Sequence, residues 1–212
     1  MNNLVPILLL LFAYLTGSIP FGLLLGKSMG IDVRRQGSGN IGATNVSRLL
    51  GKKLGLLTLA ADIGKAMLPM LLARWVLSRT MSDLDPERLV ALCGASAFLG
   101  HLFPIYLKFR GGKGVATAVG VFLLLEPLAL VISLGLFIGA VWRWDYVAVG
   151  SLTAATAMPV LIWLLGGSTQ HTLLALGTGI LIWLKHADNI ARLLRGEEKS
   201  WRGKFLGPGS RA

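Results

Sequence analysis

The sequence predicts an all-α fold: a polytopic membrane bundle of seven transmembrane helices, two of them short, with the N-terminus outside and the C-terminus cytoplasmic. Three observations carry that expectation. Charged residues make up 15% of the chain, against roughly 25% in a soluble domain, so most of it cannot face water. Seven apolar runs alternate with polar segments, and mean hydropathy is +0.67. The net charge of +11 is gathered between those runs, the pattern of charged loops in a membrane protein.

A spanning helix needs about 20 mostly apolar residues. The candidate runs are 4–25, 54–77, 89–107, 115–125, 128–142, 147–165 and 172–185. No Lys or Arg precedes the first, and no small-x-small cleavage site follows it, so it reads as a retained helix and not a signal peptide. The stretch 115–142 is either one long helix or two short ones broken at Glu126 and Pro127. The residue before a proline is pushed out of the helical region, and a mid-membrane carboxylate costs several kcal/mol. Both favour the break.

Sidedness favours it independently. With seven spans, segments 27–53, 108–113, 143–146 and 185–212 share one side. Together with Lys65 they hold 18 of the 21 basic residues. Only Arg74, Arg79 and Arg88 fall on the other side, a strong positive-inside bias. No repeat, linker or low-complexity stretch divides the chain, so residues 1–212 are expected to form a single domain. Cys93, alone in an apolar run, has no partner for a disulfide or metal and reads as a small buried hydrophobe. A nucleic-acid binder would need a solvated basic surface, which this charge distribution does not offer.

Three polar segments on the basic side carry chemistry. The first runs from residue 37 to 45: Gly37, Ser38, Gly39, Asn40, Ile41, Gly42, Ala43, Thr44 and Asn45, followed by Arg48. Its glycines let backbone approach a ligand closely, and successive N–H groups ahead of a helix form a nest for an anion. Ser38, Thr44 and Asn45 add neutral donors, and Arg48 a fork that fits phosphate. The plainer reading is a flexible loop with a helix cap.

The second pairs Gly100 and His101 with Gly111, Gly112, Lys113 and Gly114. Lys113 offers a point charge beside free helix N–H groups, suited to a second phosphate. The spacing is not that of a Walker loop, so ATP binding is unsupported. Ordinary membrane anchoring would explain the charge here but not the glycine spacing. The third holds His186 and Asn189, three apart, on one face if the helix continues, where they could donate to substrate oxygens, with Arg192 and Arg195 beyond. The tail charges Arg202, Lys204 and Arg211 read as solvated topology signal. The three His have no metal-ligand spacing, there is no Gly-x-Ser-x-Gly elbow, and no carboxylate pair suggests an acid and a base.

These segments, with Gly17 to Gly22, Gly51, Lys52, Lys53, Asp62, Lys65, Ser151 and Ile190, resemble the bacterial membrane acyl-phosphate:glycerol-3-phosphate acyltransferases over nearly the whole chain. The resemblance implies a seven-span acyltransferase of the bacterial cytoplasmic (inner) membrane, with no metal or organic cofactor. It would move an acyl group from acyl phosphate to glycerol 3-phosphate at the start of phospholipid synthesis. By position it implies catalytic roles for Ser38, Arg48, Lys113, His186 and Asn189. It implies substrate-binding roles for Gly37, Gly39, Asn40, Gly42, Thr44, Asn45, Gly111, Gly112 and Gly114. Its expected partners are the two phosphate substrates, the lipid bilayer and a peripheral acyl-phosphate synthase, without nucleic acid. A transporter for a phosphorylated solute is the alternative from another class. It would need a polar route to the other side, yet segments 78–88 and 166–171 lack any phosphate-type motif.

Overall fold

The computed structural model describes residues 4–79 and 85–203, and all regular structure among them is helical. The first apolar run is two helices, α1 (Leu4–Gly17) and α2 (Phe21–Ser28). The expected continuous helix is interrupted at Ser18, Ile19 and Pro20. Pro20 has no N–H to give and forces Ile19 out of helical geometry; the Ile19 carbonyl accepts from the Phe21 N–H at 3.2 Å and keeps a second lone pair for another partner. A basic loop leads to α3 (Ala43–Leu50), and α4 (Lys52–Leu77) follows directly after Gly51, whose φ is +92°.

The next helix, α5 (Pro86–Leu102), is capped by Asp85, which accepts from the Glu87 N–H at 3.0 Å. After it come a 3₁₀ turn (Ile105–Leu107), a glycine-rich loop, and α6 (Val115–Leu125). The expected break is present: Glu126 has φ −144° and ends α6, and α7 (Pro127–Trp144) begins with proline at its first turn. The second segment expected to be short is not, because α7 has 18 residues and is long enough to span. The remaining helices are α8 (Val147–Leu164), α9 (Thr169–Lys185) and α10 (Ala187–Leu194).

Five segments among the described residues are long and apolar enough to cross a membrane. They are Leu4–Ser28, Lys52–Leu77, Pro86–Leu107, Pro127–Trp144 and Val147–Leu164, and Val115–Leu125 is shorter. Large apolar side chains such as Leu56, Leu128, Val131, Ile138 and Trp163 point outward. That is the surface lipid requires, while small residues bring the helices together. Where α1 crosses α5, a Cβ on Gly17 would overlap the Ala97 carbonyl and one on Gly100 the Tyr14 carbonyl, so the two backbones touch. One interior cluster joins α1, α4 and α5 through Ala13, Met70, Ala73, Cys93 and Ala97. Another joins α5 to α6, α7, α8 and α9 through Phe98, Leu102, Phe122, Leu130, Met158, Ile162 and Ile182.

Glu126 accepts from His171 at 2.7 Å, tying the α6–α7 break to the start of α9 at one end of the bundle. The basic loops gather at the opposite end, where the following geometry arises.

Candidate active site

The first glycine loop is shaped by Asn45. That side chain is 2% exposed, so it must satisfy its amide internally. Its Nδ2 reaches the carbonyls of Val33 (2.9 Å), Asn40 (2.8 Å) and Gln36 (3.2 Å), and its Oδ1 accepts from the Ser38 N–H at 2.9 Å. Gly37, at φ +66°, must be glycine twice over: a Cβ there would also overlap Asn45 Oδ1. Asn40 Oδ1 accepts from the Gly42 N–H at 2.8 Å, closing a turn immediately before α3. The result holds Ser38, Gly39 and Asn40 forward.

The second loop is laid against the end of α5. The Gly112 N–H donates to the His101 carbonyl at 3.1 Å and the Gly111 N–H to the Leu102 carbonyl at 3.2 Å. Beneath Gly112 lies the His101 ring, and a Cβ would overlap its Nε2. The ring is itself anchored. Lys65 Nζ sits 2.9 Å from His101 Nδ1, 2.8 Å from Asp62 Oδ1 and 2.9 Å from the Ile19 carbonyl at the helix break. One ammonium thus meets three acceptors, with the Lys65 and Asp62 side chains 1% and 3% exposed. With Nδ1 accepting, His101 carries its proton on Nε2.

Lys113, released upward by Gly112 and Gly114, donates to Asn189 Oδ1. Asn189 Nδ2 in turn donates to Glu198 Oε1 at 2.8 Å, and Arg192 Nε donates to Glu198 Oε2 at 2.8 Å. Burial is the main cause that lowers the Lys113 pKa to about 8. His186 ends α9 and precedes α10, so His186 and Asn189 lie across a helix junction and not within one continuous helix. Its Nδ1–H donates to the Ile182 carbonyl at 2.8 Å. Burial, with Lys113 nearby, lowers its pKa to about 4. Without substrate it is therefore neutral, with Nε2 as an acceptor.

These segments surround a polar cavity of about 250 Å³. Of the expected site residues, Ser38, Gly39, Asn40, Gly111, Gly112, Lys113 and Asn189 line it. Gly37, Gly42, Thr44, Asn45, Arg48, Gly114 and His186 are not in its wall. Gly37 and Asn45 shape the loop from below, Gly114 (φ +84°) starts α6, and Arg48 turns toward the tail, donating to the Lys199 carbonyl at 3.2 Å. The wall also includes Lys185, Asp188 and Arg192, which motif reading left out of the site. Glu198, 6% exposed at its side chain, organises two members of the site and gave no sequence signal beyond its charge. Arg192 stands one helical turn from Asn189, so extending the i, i+3 face would have found it.

Arg202 of the tail is exposed, as expected of a solvated charge, but it is also hydrogen-bonded. Arg202 donates through its N–H to Asp145 Oδ1 at 3.0 Å and through its guanidinium to the Trp142 carbonyl at 2.9 Å. Lys204 and Arg211 lie outside the described residues. No group of three or more His, Cys, Asp and Glu placed to hold a metal occurs among the described residues.

A family model described as glycerol-3-phosphate acyltransferase matches residues 7–196. The chain belongs to the glycerol-3-phosphate acyltransferase family. It is 53% identical over 194 residues to a glycerol-3-phosphate acyltransferase of Desulfotalea psychrophila, covering 92% of this chain and 97% of that one. It is 48% identical over 190 residues to the glycerol-3-phosphate acyltransferase of Trichlorobacter lovleyi, covering 90% and 94%. The fold is similar to the crystal structure of PlsY (YgiH), an integral membrane glycerol 3-phosphate acyltransferase, in its glycerol 3-phosphate form. The TM-score is 0.84 at 37% identity, over 92% of this chain and 95% of that one. The lysophosphatidic acid form of that protein aligns with a TM-score of 0.82. The family makes this chain an integral membrane acyltransferase of phospholipid synthesis, and the transporter alternative falls away.

Proposed function

We propose that this glycerol-3-phosphate acyltransferase takes its acyl group from acyl phosphate and delivers it to the sn-1 hydroxyl of glycerol 3-phosphate. The products are lysophosphatidic acid and inorganic phosphate, in the first committed step of phospholipid synthesis. The observation that carries this reading is the wall of the polar cavity: Lys113, Lys185 and Arg192 against the single carboxylate of Asp188. Three cations and one anion suit a phosphate dianion far better than a neutral substrate.

In this reading Lys113, Arg192 and Asn189 receive the phosphate of glycerol 3-phosphate. Loop 37–45 with Ser38 faces the acyl phosphate, and Arg48 completes its positive surroundings. The hydroxyl oxygen attacks the acyl carbon, the bond from that carbon to the phosphate oxygen breaks, and the hydroxyl proton passes to an oxygen of the departing phosphate. No covalent serine is needed, because the donor is already activated. The protein contributes position and charge stabilisation. Asp62 is committed to Lys65, which leaves Asp188 as the carboxylate to test as a competing base. His186, behind the wall and bonded to the Ile182 carbonyl, steadies the α9–α10 junction that carries Lys185, Asp188 and Asn189. An apolar groove of about 640 Å³ between α7, α8 and α9, lined by Leu136, Leu152, Val160 and Trp183, supplies a bed for the acyl chain.

The proposal includes one domain over residues 1–212, in the bacterial cytoplasmic membrane. Its seven spans are α1 with α2, then α4, α5, α6, α7, α8 and α9, with the basic end inside and a peripheral acyl-phosphate synthase delivering the donor there. The test is purified protein in detergent with glycerol 3-phosphate and either acyl phosphate or acyl-CoA. Lysophosphatidic acid formed from acyl phosphate is the expected product, and product from acyl-CoA alone overturns the donor. Asp188→Asn should keep kcat within about ten-fold; a loss on the order of 10³ would make Asp188 the base.

A further inference from the structure

We infer that Asp145, in the turn between α7 and α8, is a positioning residue for glycerol 3-phosphate: it fastens the chain segment 197–203 as a strap across the flank of the polar cavity. This rests on the cavity being the glycerol 3-phosphate site. Asp145 lies outside the three polar segments singled out in the sequence, yet it gathers the end of the strap almost alone. Its backbone carbonyl accepts from the Trp201 N–H at 2.7 Å, its Oδ1 from the Arg202 N–H at 3.0 Å, and its Oδ2 from the Ser200 hydroxyl. Ser200 Oγ also accepts from the Gly203 N–H at 2.7 Å, so the anchored end is a closed turn. Asp145 itself is held at φ +65°, a left-handed position that aspartate tolerates and most residues do not. The donors around its carboxylate, Ser200 first, hold its pKa below the usual carboxylate range, so it stays an anion and an acceptor.

What the anchor holds taut is the stretch just before it. Lys199 Nζ donates to the Gly37 carbonyl at 3.0 Å, and the Lys199 carbonyl accepts from Arg48 at 3.2 Å. Glu198 binds Asn189 and Arg192 at 2.8 Å each. Two residues of the strap thus reach the first glycine loop, Arg48, and two side chains of the cavity wall. Without the anchor, Glu198 and Lys199 would have to order themselves on binding, at the cost of backbone and long side-chain entropy. The wall would then be organised by the substrate instead of ahead of it. The effect belongs in affinity for glycerol 3-phosphate, since these contacts are present before chemistry begins.

The experiment compares full-length wild type with Asp145→Gly, which keeps the left-handed turn and removes the carboxylate, and with Ser200→Ala and the double variant. Trypsin cleavage after Lys199 and Arg202 reports strap anchoring. KM for glycerol 3-phosphate and kcat report its use, and thermal unfolding reports the fold. The expected result is faster cleavage and a KM raised about ten-fold in Asp145→Gly, the size of one lost charge-assisted hydrogen bond, with kcat within two-fold and unfolding unchanged. The double variant should show no more than the Asp145→Gly effect. Asp145→Asn, which keeps one acceptor, should fall between. An unchanged KM, or effects of Asp145→Gly and Ser200→Ala that multiply, would overturn the inference. A wild type that ignores glycerol 3-phosphate but still protects Lys199 and Arg202 would instead sink the substrate reading on which it stands.

Discussion

Lys113 and Asn189 meet by a hydrogen bond from the ammonium to the amide oxygen, although 76 residues separate them. That contact joins the second glycine loop to α10, and through the amide nitrogen of Asn189 it continues to Glu198 and Arg192. Lys113 therefore stands at the end of a connected polar network with its charge directed at the cavity.

Its ionisation gives the reaction a defined alkaline limit. The free-enzyme pKa of about 8 means Lys113 is a cation below that pH and loses its charge as pH rises through it. Since kcat/KM reports the free enzyme, kcat/KM for glycerol 3-phosphate should fall with a midpoint near pH 8. Lys113→Arg should remove that limb, and Lys113→Ala should raise KM on the order of 10- to 100-fold at pH 7. His186, neutral above about pH 4, should add no limb between pH 5 and 7. A fall in activity near pH 6 belongs to the second ionisation of the substrate phosphate, roughly 6.

Gly112→Ala should damage the site through shape alone. The methyl would overlap His101 Nε2, and Lys65 prevents the ring from moving aside. The loop must lift, at about 1–3 kcal/mol of overpacking, and carry Lys113 away from Asn189. Gly64→Ala is the control, because nothing lies within 4 Å of a Cβ there. Thermal unfolding and kcat/KM measured together should separate the two variants. Equal behaviour would remove the His101 contact from the account.

Lys65→Met leaves the buried Asp62 carboxylate without its cation. Breaking such a pair costs about 3–5 kcal/mol, whereas replacing both members by neutral groups costs far less. Unfolding in detergent should therefore show Lys65→Met strongly destabilised, and Lys65→Met combined with Asp62→Asn partly restored. Additive losses would show that Lys65 acts through its other two acceptors, His101 and the Ile19 carbonyl.

Much of this was legible from local chemistry. The break at Glu126 follows from a carboxylate beside a proline in an apolar run, a property of two neighbouring residues. The proline at 20 carried the same signal within the first run, but a continuous apolar stretch outweighed it, and only the Ile19 carbonyl meeting Lys65 gives that break a purpose. Among the glycines at 111, 112 and 114, the spacing pointed to the right loop for an incomplete reason. It reflects how closely the chain must lie on His101 and Phe98 as well as what it leaves open to a ligand.

By itself, then, the sequence determined the helical membrane class, the segments that carry polar chemistry and the family, because these rest on composition, hydropathy and residues close along the chain. The tertiary structure alone decided that Asn45 is a brace, that His186 bonds back to the Ile182 carbonyl, and that Lys185, Asp188 and Glu198 belong with the cavity. It also brought Asp145 to the tail, 55 residues away. A charged side chain reads the same in sequence whether it faces solvent or a partner. Only the packing of the helices determines which carbonyl, carboxylate or amide comes within about 3 Å of it.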